Sequence, residues 1–263
     1  MSTLSLALRD SATMLRRDIR HSLRNLSVTL SGLLVPIIVL LLFFYVFGGA
    51  IGAGLGGVAP SFAYIDYLAP GIIIFTVGSG CATTALNLCM DLSEGIITRF
   101  RAMAIFRASV LTGQVLGSLI RTLISVGLVT LVALLMGFRP TATPIAWIEA
   151  LGLIALFTLA ITWMGVVFGL VGKTPAGANS LSLIFQLLAF TSSALVSPDS
   201  MPATVRWFAE YQPFTPVIDT LRGLLLGTPI SGNSVVLAVA WCIGLILVGY
   251  FWARAVYNRD PVK

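Results

Sequence analysis

Six long apolar stretches run through this chain, at about 30–50, 68–90, 110–136, 145–171, 179–196 and 235–254. Each is close to the ~20 residues that carry a helix across a bilayer core. The alternation of a transmembrane barrel is missing, and runs such as 33–47 are apolar on every face, so all six read as helices. Composition closes off the soluble alternatives. Among 263 residues, 57% are hydrophobic and 25 more are glycine, while only 16 basic and 10 acidic residues are available to coat a surface. A water-soluble enzyme or nucleic-acid binder of this size cannot be built from that mixture. The expected fold class is all-α integral membrane, with six transmembrane helices and little material left for a folded aqueous domain.

Basic residues orient the spans. Segments sharing a side with the N-terminus (1–29, 91–109 and 254–263) hold Arg9, Arg16, Arg17, Arg20, Arg24, Arg99, Arg101, Arg107, Arg254, Arg259 and Lys263. Arg139, Lys173, Arg206 and Arg222 are read as lying opposite, eleven against four, with Arg121 inside the third span. The positive-inside rule then places both termini in the cytoplasm, and the net charge of +6 reflects topology and anionic lipid without calling for nucleic acid.

Residues 1–29 form a leader in which Leu8, Leu15, Ile19, Leu23 and Leu26 recur at helical spacing beside an arginine-rich arc. This predicts a cytoplasmic interfacial amphipathic helix. It is longer and more regular than the charged start of a secretory signal, and five more spans follow the first. The transmembrane unit takes up 30–263. Its stretch 197–234 contains five prolines around two short apolar patches, at 205–208 and 217–226, and the second carries Asp219 and Arg222. Two short helices dipping into the outer leaflet are expected there.

Several motifs mislead. Gly52-Ala-Gly54-Leu-Gly56-Gly57 matches a dinucleotide fingerprint, but no strand precedes it. Gly172-Lys173-Thr174 resembles the end of a P-loop, yet Val167 stands where its first glycine is needed. The chain is not expected to hydrolyse ATP, and no catalytic residue is assigned. With His21 as the single histidine and Cys81, Cys89 and Cys242 lacking ligand spacing, no metal site or bound cofactor is expected. Gly113-x-x-x-Gly117, Gly165-x-x-x-Gly169 and Gly223-x-x-x-Gly227 allow close helix approach, most simply within the chain.

Arg121 is the one charge deep in a span, some 11 residues or ~17 Å from its cytoplasmic end. An intramembrane charge marks a candidate functional position, set against the plainer reading of an arginine snorkelling or bonded to backbone. No carboxylate lies mid-membrane, since Asp91 and Glu149 fall at span ends, which argues against a proton-coupled carrier. Candidates to line a substrate path are Arg121, the aromatic Phe43, Phe44 and Tyr45, and the polar Asn87 and Gln186.

The loop between the second and third spans holds Glu94-Gly-Ile-Ile-Thr-Arg-Phe-Arg-Ala-Met103. This segment closely resembles the corresponding loop of ABC-2 type permeases, particularly daunorubicin-resistance-type export subunits. The stretch from Gln212-Pro-Phe-Thr-Pro through Gly227 is similar to the region before their last span. The resemblance implies the permease of an exporter of hydrophobic or amphiphilic compounds in a bacterial inner membrane. Polysaccharide export is the nearest alternative, and a secondary carrier the more remote one. The resemblance also implies a second permease copy or homologue and two separate ABC ATPase subunits, which would hold ATP and Mg. The loop 91–109 would then carry a coupling helix, formed from Glu94, Gly95, Ile96, Ile97, Arg99, Phe100, Arg101 and Met103. In that role Glu94, Arg99 and Arg101 offer polar contacts to the ATPase, and Ile96, Ile97, Phe100 and Met103 anchor the segment. Ala104 stands where many relatives have proline, so the helix can run on past Met103.

Overall fold

The computed structural model describes residues 26–48, 61–93 and 107–259. The expected amphipathic leader up to Asn25, the stretch 49–60 and the expected coupling segment with Glu94, Gly95, Ile96, Ile97, Arg99, Phe100, Arg101 and Met103 lie outside the described residues.

The described residues form eight α-helices and no strand. In chain order these are α1 (Leu26–Leu42), α2 (Ser61–Ser93), α3 (Arg107–Leu135), α4 (Pro144–Val171), α5 (Pro175–Phe190), α6 (Ala203–Tyr211), α7 (Phe214–Leu226) and α8 (Gly232–Arg259). A π-helical turn, Phe43–Phe47, continues α1. The local sequence explains several boundaries. α4 opens on Thr143, whose hydroxyl accepts from Ala146 N, with Pro144 in the first turn where its missing N–H is not needed. Thr174 and Pro175 repeat the arrangement at α5. α7 stops at Gly227, which has φ 65° in the left-handed region that an L side chain resists.

α2 is the axis of the bundle and packs against α1, α3, α4, α5 and α7. Ile65, Leu68, Ile72, Ile73, Ile74 and Phe75 are all fully buried on it, so over this stretch the helix is apolar all round because neighbours surround it. Small residues set the closest approaches. A Cβ on Gly165 would meet Cys81 O at 2.9 Å, and one on Gly169 would meet Ala85 O at 2.8 Å. That Gly-x-x-x-Gly pair therefore packs within the chain, α4 on α2. Gly71 is tighter still, its missing side chain taken up by the backbone of Ala194.

These contacts also fix direction. Residues 81 and 85 of α2 sit beside 165 and 169 of α4, so the two helices run parallel. Gly80 beside Thr122, and Asp66 bonded to Arg139 N, make α3 antiparallel to α2. The turn 172–174 consequently lies at the bundle end that carries Ser93 and Arg107. The sequence reading put Lys173 on the opposite side, and this is a correction. With four helices preceding it, the Lys173 turn returns to the side of the 94–106 loop, and the basic-residue count becomes twelve against three. Gly172-Lys173-Thr174 is a tight helix–helix turn: Lys173 has φ 53°, and a Cβ on Gly172 would run into the backbone of Ala178.

Four of the six expected spans are matched by helices long and apolar enough to cross a membrane, within α2, α3, α4 and α8. The fifth is shorter than the sequence suggests. α5 ends at Phe190 rather than near 196, and its 16 residues cover ~24 Å at 1.5 Å per residue, below a ~30 Å core. Beyond it, Thr191–Ser197 runs as turns pressed onto the start of α2. The described apolar part of the first is short too, at Leu34–Val46.

Candidate functional site

Thr76, Ser79, Thr83 and Thr84 of α2 line one small cavity. Thr76 Oγ1 donates to Ile72 O at 2.7 Å, Ser79 Oγ to Thr76 O at 2.8 Å and Thr84 Oγ1 to Gly80 O at 2.9 Å. Each hydroxyl has thus given its proton to a carbonyl of its own helix, and what remains for a neighbour is oxygen lone pairs. Gly80 lets α3 approach this stripe of hydroxyls, since a Cβ there would lie 2.7 Å from Thr122 Oγ1. Arg121, one residue before Thr122, lines the same space, and its Nη2 donates to Ser118 Oγ at 3.2 Å. A cation with five N–H donors thus shares a cavity with a face of acceptors. The cavity between them is about 20 Å³, room for roughly one water.

The other sequence candidates do not converge on Arg121. Phe43 and Phe44 lie half-buried in the π-helical turn at the far end of α1, and Tyr45 is 72% exposed. Asn87 is buried nearer the Ser93 end of α2, and Gln186 is half-buried on α5. None of these five lines the Arg121 cavity.

A second polar cluster went unassigned in the sequence. At the opposite end of α2, the Arg222 guanidinium lies 3.9 Å from the centre of the Tyr67 ring. Its Nη1 donates to Asp219 Oδ1 at 3.0 Å, and its Nη2 to Tyr67 O at 3.2 Å and to Ser193 O at 2.9 Å. Ser193 Oγ donates to the same Asp219 oxygen at 2.8 Å, and Tyr67 hydroxyl to Ser193 O at 3.0 Å. One arginine thereby joins α2, the chain after α5, and α7. The buried Nε–H of Arg222 finds no acceptor. The signal in the sequence was small: an Asp and an Arg three apart in a short apolar patch. Their partners lie 26 to 155 residues away.

With this geometry in place, the comparisons with known proteins decide the family. The ABC-2 type transporter profile matches residues 10–226. The chain belongs to the ABC-2 type transporter family. The matched region of this ABC-2 chain includes the 94–103 loop, the Arg121 stripe and the Arg222 cluster. Among its relatives, it is 26% identical to a daunorubicin resistance ABC transporter permease protein of Streptomyces coeruleorubidus, over 81% of this chain and 71% of that one. It is also 24% identical to the "Probable doxorubicin resistance ABC transporter permease protein" of Mycobacterium tuberculosis, over 69% of this chain and 65% of that one.

Proposed function

We propose that this chain is the transmembrane permease subunit of an ATP-driven exporter of a hydrophobic or amphiphilic compound. It would work with a second permease copy or homologue and two separate ABC ATPases in a bacterial cytoplasmic membrane, both termini inside. The observation that carries the reading is the family match over 10–226, together with relatives named as drug-resistance permeases.

A mechanism follows from which helices the coupling segment joins. The loop 94–106 connects α2 directly to α3. These two helices carry the hydroxyl stripe and Arg121, and between them they line the small polar cavity. ATPase closure pressing on Glu94, Arg99 and Arg101 would shift the near ends of α2 and α3. The place most sensitive to their separation is the Gly80–Thr122 approach beside Arg121. At about 20 Å³ the cavity admits no amphiphile as it stands. Passage therefore requires the pair to part, or a second permease to supply the facing wall. Arg121 and the hydroxyls would then hold the polar part of the passenger, while Phe43, Phe44, Asn87 and Gln186 are candidates further along the path. ATP and Mg would stay on the partner ATPase.

The test is co-reconstitution of the chain with an ABC ATPase from its operon, followed by compound-stimulated ATP hydrolysis and vesicle accumulation for a panel of planar amphiphiles. Stimulated hydrolysis with ATP-dependent accumulation is expected. Gradient-driven accumulation without ATPase would overturn the reading.

A further inference from the structure

At the bundle end that carries Asp66 and Arg139, α6, α7 and the start of α8, together with Tyr67 and the turn at Ser197 and Pro198, line a recess of about 440 Å³. That is within the range of small-ligand sites. Among the described residues, its lining charge is balanced. On one wall Arg206 Nε donates to Glu210 Oε1 at 2.6 Å, both on α6. On the other stands the Asp219–Arg222 pair of α7, at 3.0 Å. Two guanidiniums and two carboxylates facing one space disfavour a polyanion and a polycation alike. An apolar ligand would strip water from all four without replacing it. The lining suits a molecule with one positive and one negative group a few ångströms apart.

The two pairs differ in setting. Arg222 is held by Tyr67, Ser193 and Asp219, so it is a fixed feature of the wall. The side chains of Arg206 and Glu210 are 45% and 39% exposed, so this pair is in contact with solvent. α6 also sets the location. Its Trp207 is 68% exposed, with Val205, Phe208 and Tyr211 exposed beside it. A nine-residue amphipathic helix with that aromatic face belongs at a lipid headgroup boundary.

We propose that this recess binds a zwitterionic headgroup, a phosphate beside an ammonium, with the phosphate on Arg206 and Arg222 and the ammonium on Glu210 and Asp219. The proposal goes beyond the export reading and does not depend on it, and its test contains no ATPase.

The full chain, in an uncharged maltoside detergent, is titrated calorimetrically with dihexanoylphosphatidylethanolamine, free phosphoethanolamine, dihexanoylphosphatidylglycerol and inorganic phosphate. Saturable binding of the zwitterions is expected, weakened about tenfold by Arg206→Gln and by Glu210→Gln, the equivalent of one charge-assisted hydrogen bond each. Arg139→Gln, on a neighbouring turn outside the recess, should bind as the parent does, and circular dichroism verifies that all three variants are folded. Equal binding of the two phosphoethanolamine forms identifies a soluble zwitterion as the ligand; a requirement for the acyl chains identifies lipid. Equal affinity for phosphatidylglycerol or phosphate, unchanged affinity in both recess variants, or no saturable binding of either zwitterion overturns the proposal.

Discussion

The guanidinium of Arg222 stacks on the ring of Tyr67 at 3.9 Å and also donates to the carbonyl of the same residue at 3.2 Å. A flat cation can do both at once, because its π-face and its in-plane N–H groups point in different directions. Arg222→Lys keeps the charge but loses the stack and the fork, so we expect it to recover little of what Arg222→Ala loses. Removing this partly buried group takes one donor each from Asp219 and from the carbonyls of Tyr67 and Ser193, and leaves the Asp219 carboxylate without its cation, which should cost about 2–4 kcal/mol. Thermal unfolding of the purified chain in detergent measures this. A lysine variant as stable as the parent would mean that charge alone holds the junction.

Glycines in the same bundle should separate into two groups. Gly71→Ala should be the most damaging, since the new methyl would enter the backbone of Ala194, and Gly165→Ala and Gly169→Ala should follow because carbonyls of α2 lie below 3.0 Å. Gly127, Gly152 and Gly244 have open space within the chain. Where these face lipid, alanine should stabilise the helix by ~0.5–1 kcal/mol. Expression and melting temperature report the first group. A severe loss at one of the second would instead locate a contact with another subunit.

For Arg121, we expect Arg121→Ala to impair transport more than assembly. Removing a charge from a span eases insertion by ~2.5–3.5 kcal/mol on translocon scales, while the hydroxyl stripe on α2 loses its cation. Arg121→Lys keeps a charge on a different geometry and should fall between the two. Export by both variants at the parental rate, measured in vesicles, would leave Arg121 a packing residue.

The sequence made the hydrophobic architecture legible because hydropathy is summed over many residues and survives local error. Its limits appear where tertiary contacts take over. α2 starts at Ser61 rather than 68 because Tyr64, Asp66 and Tyr67, too polar to read as a span, are satisfied by Leu195 O, Arg139 N and Ser193 O. α5 stops early as the chain turns to bring the backbone of Ala194 against Gly71. Arg121 was visible as an isolated charge, whereas its hydroxyl face was not, since scattered Ser and Thr in an apolar run carry no signal until a helix aligns them. The Arg222 junction was hidden for a related reason: it is assembled from three distant segments.

The proposed coupling segment gives the last expectation. Glu94→Ala and Arg99→Ala should leave the chain inserted and able to pair with its partner permease, yet reduce ATPase recovery and export. Both residues follow the described part of α2 in the chain and lie outside the apolar spans of the sequence, so their loss should spare insertion. A solvent-exposed ion pair would be worth only ~0–1 kcal/mol. Charge-assisted contacts closed off from water at a subunit junction cost ~2–5 kcal/mol when one partner is truncated, which weakens docking about 30-fold or more. The two cases are far enough apart for co-purification to separate them. Because the segment joins α2 to α3, a docking defect should also abolish compound-stimulated ATP hydrolysis while leaving the basal rate of the isolated ATPase unchanged. Parental recovery and parental stimulation in the Glu94→Ala, Arg99→Ala double variant would reduce residues 94–103 to a basic cytoplasmic loop, and the route from ATPase to the Arg121 cavity would have to be sought elsewhere.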